Sequence, residues 1–425
     1  VKSLDWSPDG KNIHSAGYAA ADSWDSSTGK KLQRHSSGRE ARWLLASPDG
    51  LHLALVSDGR LSILPRQGGP ALKEWPEAPG SVTRIAWHPA GAILAVGHAG
   101  SAGKLMLWHW QMEREPDQIA VPGGWGGFVW SPSGDRLVLV RGNQPPLVIF
   151  TAEAERRMTM ETPPGADITC AAWSPDGKHI AGGTRAGEVL LWDAASRKSV
   201  HKLNSPGFPV LCLDWSCQGA LAAGDEGGLM SVWKEPAAPG EAPLVHKGHR
   251  LGIHQVKWSQ DGTRLASCSE DKSVRIWPGD GSGAFQMTKT LEFRSARPQW
   301  SPDGSLLALP DRETLTLAVP DASGGWKART KLPFKIGAVA WSADGSQLAA
   351  VNEAPGVVML LDAAELRETR LIQSPTPGVS TAEWSPDGTM LATAGRWPKS
   401  SGLRIWSAQT GELLWEPAKA GEGAH

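Results

Sequence analysis

One short signature recurs through this chain at a spacing that barely varies. Trp-Ser-Pro-Asp-Gly, or a close variant of it, begins at Trp6, Trp87, Trp130, Trp173, Trp215, Trp258, Trp300, Trp341 and Trp384. A tenth copy, ASPDG, begins at Ala46, where the Trp is replaced. The nine steps from Trp6 to Trp384 span 378 residues, an average of 42, and none departs from it by more than two. A fixed period in this range belongs to a solenoid, a propeller or an array. Ten copies in phase are no accident of composition.

The most regular copy runs over residues 249–277, HRLGIHQVKWSQDGTRLASCSEDKSVRIW. Apolar and polar residues roughly alternate around VKWS, as in a half-buried strand. The turn Ser259–Gly262 supplies Asp and Gly, which tolerate tight hairpin angles. RLASCS reads as a second strand, EDKS as a second turn and VRIW as a third strand. The other copies are weaker versions of the same plan, and no copy holds a helical pattern. Connections carry Gly, Pro, Asp or Ser, and strands run about five residues, which predicts an all-β chain with four short antiparallel strands per unit.

Gly248–His249, the SPDG-like turn, Asp271 and the terminal Trp277 together resemble a WD-repeat, the blade unit of one β-propeller family. The Trp-Asp pair that closes such a repeat survives as Trp24–Asp25 and Trp192–Asp193. Trp108, Trp233, Trp277 and Trp406 keep only the Trp, and copies two, four, eight and nine keep neither residue. The resemblance implies a β-propeller of about ten four-stranded antiparallel blades of about 42 residues, with units starting near 1, 41, 82, 125, 168, 210, 253, 295, 336 and 379. Seven blades is the usual ring in that family, so a seven-bladed propeller over 1–294 followed by three blades over 295–425 is the alternative division. The resemblance also implies that His249, Ser267, Asp271 and Trp277 form a buried hydrogen-bonded chain. The physics agrees, because a buried carboxylate needs donors and an imidazole, a hydroxyl and an indole N–H supply them.

Fifteen of the 22 Trp occupy two repeating positions, nine in the signature and six closing third strands. Each would bury on the order of 150–250 Å² between neighbouring blades, which is a structural use. His249 with Ser267 and Asp271 has the composition of a hydrolase triad, but no strained nucleophile elbow surrounds Ser267. His246, His249 and His254 lack a Cys or acidic ligand at helical spacing, so no metal is expected. The carboxylates Asp9, Asp49, Asp176, Asp303 and Asp387 fit turn chemistry better than calcium binding. The glycine-rich stretches 123–127 and 279–283 precede no helix, which argues against a phosphate cradle. No catalytic constellation and no cofactor site emerge.

A net charge of −1 leaves no global field toward nucleic acid or anionic membrane, and no apolar run is long enough to cross a bilayer. The four cysteines, Cys170, Cys212, Cys217 and Cys268, form no CxxC pair and read as buried thiols. That favours a reducing, cytoplasmic setting. The chain opens at Val1, almost inside the first strand of copy one, and reads as cut from something longer.

Function must then lie in what the loops hold. In a propeller, the loops joining fourth to first strands and second to third strands share one face. By phase that face receives Tyr18, Trp125, Phe208 and Trp397, aromatics outside the framework positions and flanked by Gly or Pro. Exposed aromatics of this kind dominate interface energetics. The expectation is a non-catalytic protein–protein interaction scaffold or sensor, a subunit or domain of a larger assembly, binding a protein rather than nucleic acid or membrane. The alternative is the substrate-gating propeller of a hydrolase, resembling the prolyl-oligopeptidase group, whose blades also use WSPDG turns. No GxSxG occurs here, so catalysis would lie in a domain outside this chain.

Overall fold

A computed structural model describes residues 3–17, 20–37, 41–57, 60–75, 82–98, 103–121, 125–141, 147–151, 157–204, 207–234, 236, 238, 242–279, 287–290, 298–310, 315–320, 326–332, 336–352, 356–365, 367–375, 378–395 and 402–417. The chain is all-β: among the described residues, forty strands form ten four-stranded antiparallel blades, each a simple meander in which sequential strands are neighbours. First strands begin at Ser3, Ala41, Val82, Trp125, Ile168, Val210, Ile253, Gln299, Ile336 and Val379. No helix occurs among the described residues.

The signature turn shows why its residue types recur. In blade 7, the Ser259 hydroxyl donates to Asp261 (2.5 Å) and accepts the Arg264 amide (2.9 Å), while Thr263 N–H donates to the same carboxylate (3.0 Å). Gly262 closes the turn at φ +70°, a region that favours glycine. The serine is buried and the carboxylate faces solvent, so the aspartate organises the turn from outside. Blade 1 repeats the arrangement with Ser7, Asp9 and Asn12, and blade 10 with Ser385, Asp387 and Met390. Hydroxyl and amide donors hold the Asp9 and Asp387 carboxyls below the usual range.

The signature indoles do more than fill space. Trp173, Trp215 and Trp258 each donate their ring N–H to the carbonyl just before the signature Trp of the preceding blade, at 3.3, 3.4 and 3.1 Å. Trp384 does the same to Ala340 (3.0 Å), and Trp6 to Glu383 (3.1 Å). Blade 10 therefore stands to blade 1 as each of those earlier blades stands to its successor.

The chain divides into two compact units. One contains Val1–Pro79, Arg297–Val319 and Ala328–His425; the other contains Gly80–Ala296 and Pro320–Lys327. Within each, the core is a series of apolar layers between adjacent blades. In the second unit, Ala95, Leu105 and Leu107 of blade 3 meet Phe128 and Trp130 of blade 4. In the first, Leu4, Trp6, Ile13 and Trp24 of blade 1 meet Ala392, Ala394, Ile405 and Trp415 of blade 10. Trp415 adds a ring N–H bond to the Ser26 carbonyl (2.6 Å). Second strands, covered on both faces, are buried along their whole length in blades 1, 3 and 6, so they do not alternate.

Eight first strands carry a register shift near their start, for example between Ile168 and Cys170 and between Val210 and Cys212. A bulge there bends the strand where it leaves the preceding connection. Cys170 and Cys212 sit at these bulges. Burial pushes the Cys170 thiol up to about 11, Cys268 up to about 12, and Cys212 well above its ordinary value. Of the four thiols expected to be buried, Cys268 is, Cys170 and Cys212 are half-buried, and Cys217 is exposed, in the turn where blade 6 replaces Pro-Asp by Cys-Gln. With a thiol reagent at neutral pH, one cysteine should react within minutes and three only after denaturation. Mass mapping should place the fast label on Cys217; fast labelling of Cys170 or Cys212 would contradict their burial.

Candidate functional site

His249 enters blade 7 just before its first strand, Ser267 lies in its second strand, Asp271 in the following turn and Trp277 in its third strand. They form one continuous chain. Trp277 N–H donates to Ser267 Oγ (2.8 Å), and Ser267 Oγ lies 2.7 Å from His249 Nε2. His249 Nδ1 lies 3.2 and 3.3 Å from the two Asp271 oxygens. An ionised carboxylate can only accept, so Nδ1 carries the ring proton and Nε2 accepts the Ser267 hydroxyl. Asp271 also takes the Arg250 amide (2.8 Å), the Ser273 amide (2.8 Å) and the Ser273 hydroxyl (2.6 Å).

The electrostatics follow from this wiring. Burial brings His249 down to about 4 against the pull of Asp271, so the ring is neutral at physiological pH. Burial works to raise Asp271, but the Ser273 hydroxyl and the amides of Arg250 and Ser273 outweigh it and hold the carboxyl at about 2. Ser267 has 0% of its surface exposed, and its oxygen already serves both the indole and the imidazole. No substrate can reach it. The triad-like composition serves the fold.

Two shorter versions of this chain were not read from the sequence. Trp24 donates to Ser15 (3.0 Å) and Trp406 to Thr393 (2.8 Å). The available signal is a hydroxyl residue nine positions after the signature Trp, as in Ser15, Ser267 and Thr393. Blade 5 has Gly182 there, and its Trp192 turns instead to the Glu161 carbonyl (2.7 Å).

At the loop end, the turn between the second and third strands meets the connection entering the next blade. A Cβ on Gly187 would lie 2.7 Å from Gly207 C and from Phe208 O, and one on Gly228 would lie 2.7 Å from His249 O. The Phe208 ring lies on Gly227, where a Cβ would come within 2.4 Å of it, yet the side chain remains 49% exposed. Leu211 and Leu251, 37% and 47% exposed, flank the same Glu226–Gly228 turn. Arg185 pairs with Asp167 at the rim (2.8 Å). The exposed Phe208 and Leu211 side chains thus stand against Gly227 and Gly252, with Leu251 exposed in the same connection.

Of the other aromatics expected here, Tyr18 and Trp397 lie outside the described residues. The Trp125 backbone opens the first strand of blade 4 and pairs with Arg141 at the bulge; its side chain lies outside the described set. Among the described residues, no group of three or more His, Cys, Asp or Glu is arranged to hold a metal ion, and no helix is long and apolar enough to cross a membrane.

Comparisons with known proteins follow the same lines. The family model described as "WD domain, G-beta repeat" matches residues 241–278 and 367–407, and "Anaphase-promoting complex subunit 4 WD40 domain" matches 128–218. Cell division cycle 20.1, cofactor of APC complex, from Arabidopsis thaliana is 30% identical over 125 residues, covering 29% of this chain and 27% of that protein. Anaphase-promoting complex subunit cdc20 from Dictyostelium discoideum is 25% identical over 178 residues, 42% of this chain and 32% of its own length. Protein transport protein sec13 from Aspergillus fumigatus is 25% identical over 259 residues, covering 54% of this chain and 74% of that protein. The chain thus spans about a third or less of the two cell-cycle relatives. A solved structure titled as the eukaryotic initiation factor shares the fold, with a TM-score of 0.61 at 15% identity over 96% of this chain and 95% of that one.

Proposed function

We propose, from the premise that this chain is a WD-repeat β-propeller protein, that it is a non-catalytic docking module presenting the loop end of its blades to a protein partner within a larger assembly. The observation that carries this reading is the exposure of Phe208, Leu211 and Leu251 around the Glu226–Gly228 turn, with Phe208 and Leu211 set against Gly227 and Gly252. Monomeric proteins rarely keep such side chains together in water without a use, and a preformed site avoids ordering costs on binding. The relatives are named as a cofactor or subunit of the APC complex and as a protein transport protein, which supports a role in assembly. Trp125 is proposed to act with Phe208 in its own unit, and Tyr18 and Trp397 are proposed as partner contacts of the other unit.

The test is affinity capture from cells that express the chain, with quantification of co-purifying proteins. Phe208→Ala with Leu251→Ala is expected to leave stability within about 0.5 kcal/mol, as for surface sites, while capture of the specific partner falls at least tenfold. Trp125→Ala with Trp397→Ala is expected to act in the same way. Variants that melt much earlier and still hold the partner would show these residues to be packing and would move the binding face elsewhere.

A further inference from the structure

One row of buried positions is apolar in every blade but the first. It consists of the second-strand residue opposite the one before the signature Trp, and its third-strand neighbour. Blades 2 to 5 place Ala54–Ile63, Ala95–Leu107, Val138–Ile149 and Ala181–Leu191 there. Blades 6 to 10 place Ala222–Val232, Ala266–Ile276, Ala308–Leu317, Ala349–Leu360 and Ala392–Ile405. Blade 1 places His14 and Ser23. Both are buried as completely as the residues they replace.

These two side chains belong to a polar chain that crosses to blade 2. His14 Nε2 lies 2.6 Å from the Arg66 carbonyl, which can only accept, so Nε2 holds the ring proton. His14 Nδ1 must then accept the Ser23 hydroxyl (2.7 Å), and Ser23 Oγ accepts from His35 Nε2 (2.6 Å). The Arg66 guanidinium meanwhile grips Asp5, the cross-strand partner of His14, through Nε (2.7 Å) and Nη2 (2.8 Å). Behind His35, Asp22 is held by Arg34 (2.9 Å) and Lys31 (3.3 Å). The apolar layer of this joint is thin: among the described residues, blade 1 sets Ala16 and Ala21 against Leu53, Leu55 and Leu64 of blade 2.

We propose that the joint between blades 1 and 2 is an acid-sensitive seam that opens in mildly acidic solution while neighbouring blades stay folded. A second proton on His14 would sit on Nδ1, against the hydrogen that Ser23 already donates there. Ser23 would have to reverse toward His35, whose own N–H points back at it. The new charge would also lie buried beside Arg66. The direction follows. Burial, with the charges of His35 and Arg66, holds His14 down to about 4, so folding keeps it neutral while an opened seam takes up the proton near 6.5. The His14 contribution to the seam is complete above 6.5 and is lost as pH falls from there toward 4. Asp5 and Glu383, whose carboxyls burial raises, hold protons in the folded state and offset part of that loss.

Hydrogen exchange of the full chain at pH 7.5 and pH 5.0, expressed as protection factors, tests this. Peptides covering 12–25 and 60–67 are expected to lose roughly 10–30-fold in protection at pH 5.0. Peptides covering 347–362 in blade 9, which has no histidine, should change less than about threefold. Blade 7 holds a buried histidine of its own and is no control. His14→Ala with Ser23→Ile, which restores the row of the other blades, should remove most of the pH effect, leaving the smaller part due to His35, which burial also holds down. Equal protection at both pH values, loss shared by blade 9, or an equally acid-sensitive variant would each overturn the proposal. The wild-type profile decides it even if the variant fails to fold.

Discussion

Replacing Asp271 by alanine is expected to destabilise the protein by roughly 2–4 kcal/mol, the range for stranding several buried donors at once. The carboxylate ends a chain with fixed polarity: Trp277 donates to Ser267, Ser267 to His249, and His249 to Asp271. Without it, His249 Nδ1 keeps only Ser273 (2.9 Å), and the Arg250 and Ser273 amides lose their acceptor. Asp49 is the control. It also accepts a hydroxyl and an amide, from Ser47 and Leu51, but in a turn open to water that can replace it. Asp49→Ala should cost about 0.5–1 kcal/mol. Urea midpoints of the two variants measure the difference, and equal shifts would show that the blade 7 chain is not energetically distinct. The pH dependence has a definite sign. The depressed Asp271 contributes stability above 3.8 that is lost as pH falls through about 2. The depressed His249 costs stability earlier, as pH falls below 6.5, because only the unfolded chain takes up that proton.

The architecture was legible because a repeat states its period ten times, and because turn serine, aspartate and glycine mark every strand end. The residues of the blade 7 chain could be named for the same reason, since His249 and Trp277 stand at recurring places. Three things stayed hidden. The first-strand bulges at Cys170 and Cys212 leave no compositional mark, as they arise from how the strand leaves the loop. The exposure of Cys217 follows from one turn that lost its Pro-Asp, a local exception to the repeat. How His14, Ser23 and His35 join into one polar chain depends on strand pairing and on the Arg66 carbonyl, although His14 itself stands out eight positions after the signature, where every other copy has Ala or Val. Phe208 could be named by phase as a loop residue, and its exposure could not, since whether a loop side chain folds inward depends on what lies beneath it. Under Phe208 lies a glycine.

Gly187→Ala is expected to cost about 2–4 kcal/mol and to displace Phe208, whereas Gly165→Ala should cost only about 1 kcal/mol. Both glycines hold positive φ, +81° and +79°, so both substitutions carry the same backbone penalty. That penalty is moderate in this fold, since Arg197 and Lys272 already adopt φ of 65° and 66°. The difference lies in what the methyl group meets. At Gly165 nothing lies within 4 Å of it, while at Gly187 it would fall 2.7–2.8 Å from main-chain atoms of Gly207 and Phe208. Main chain cannot rotate away as a side chain can, so the connection carrying Phe208 must shift or the turn must deform. Either change moves Phe208 off Gly227, against which its ring now lies. The two variants therefore separate strain from displacement. Gly165→Ala should lower the unfolding midpoint slightly and leave partner capture intact, and Gly187→Ala should lower both. Matching losses of stability in the two would mean that the connection yields freely, and the turn then could not be what fixes Phe208 in place.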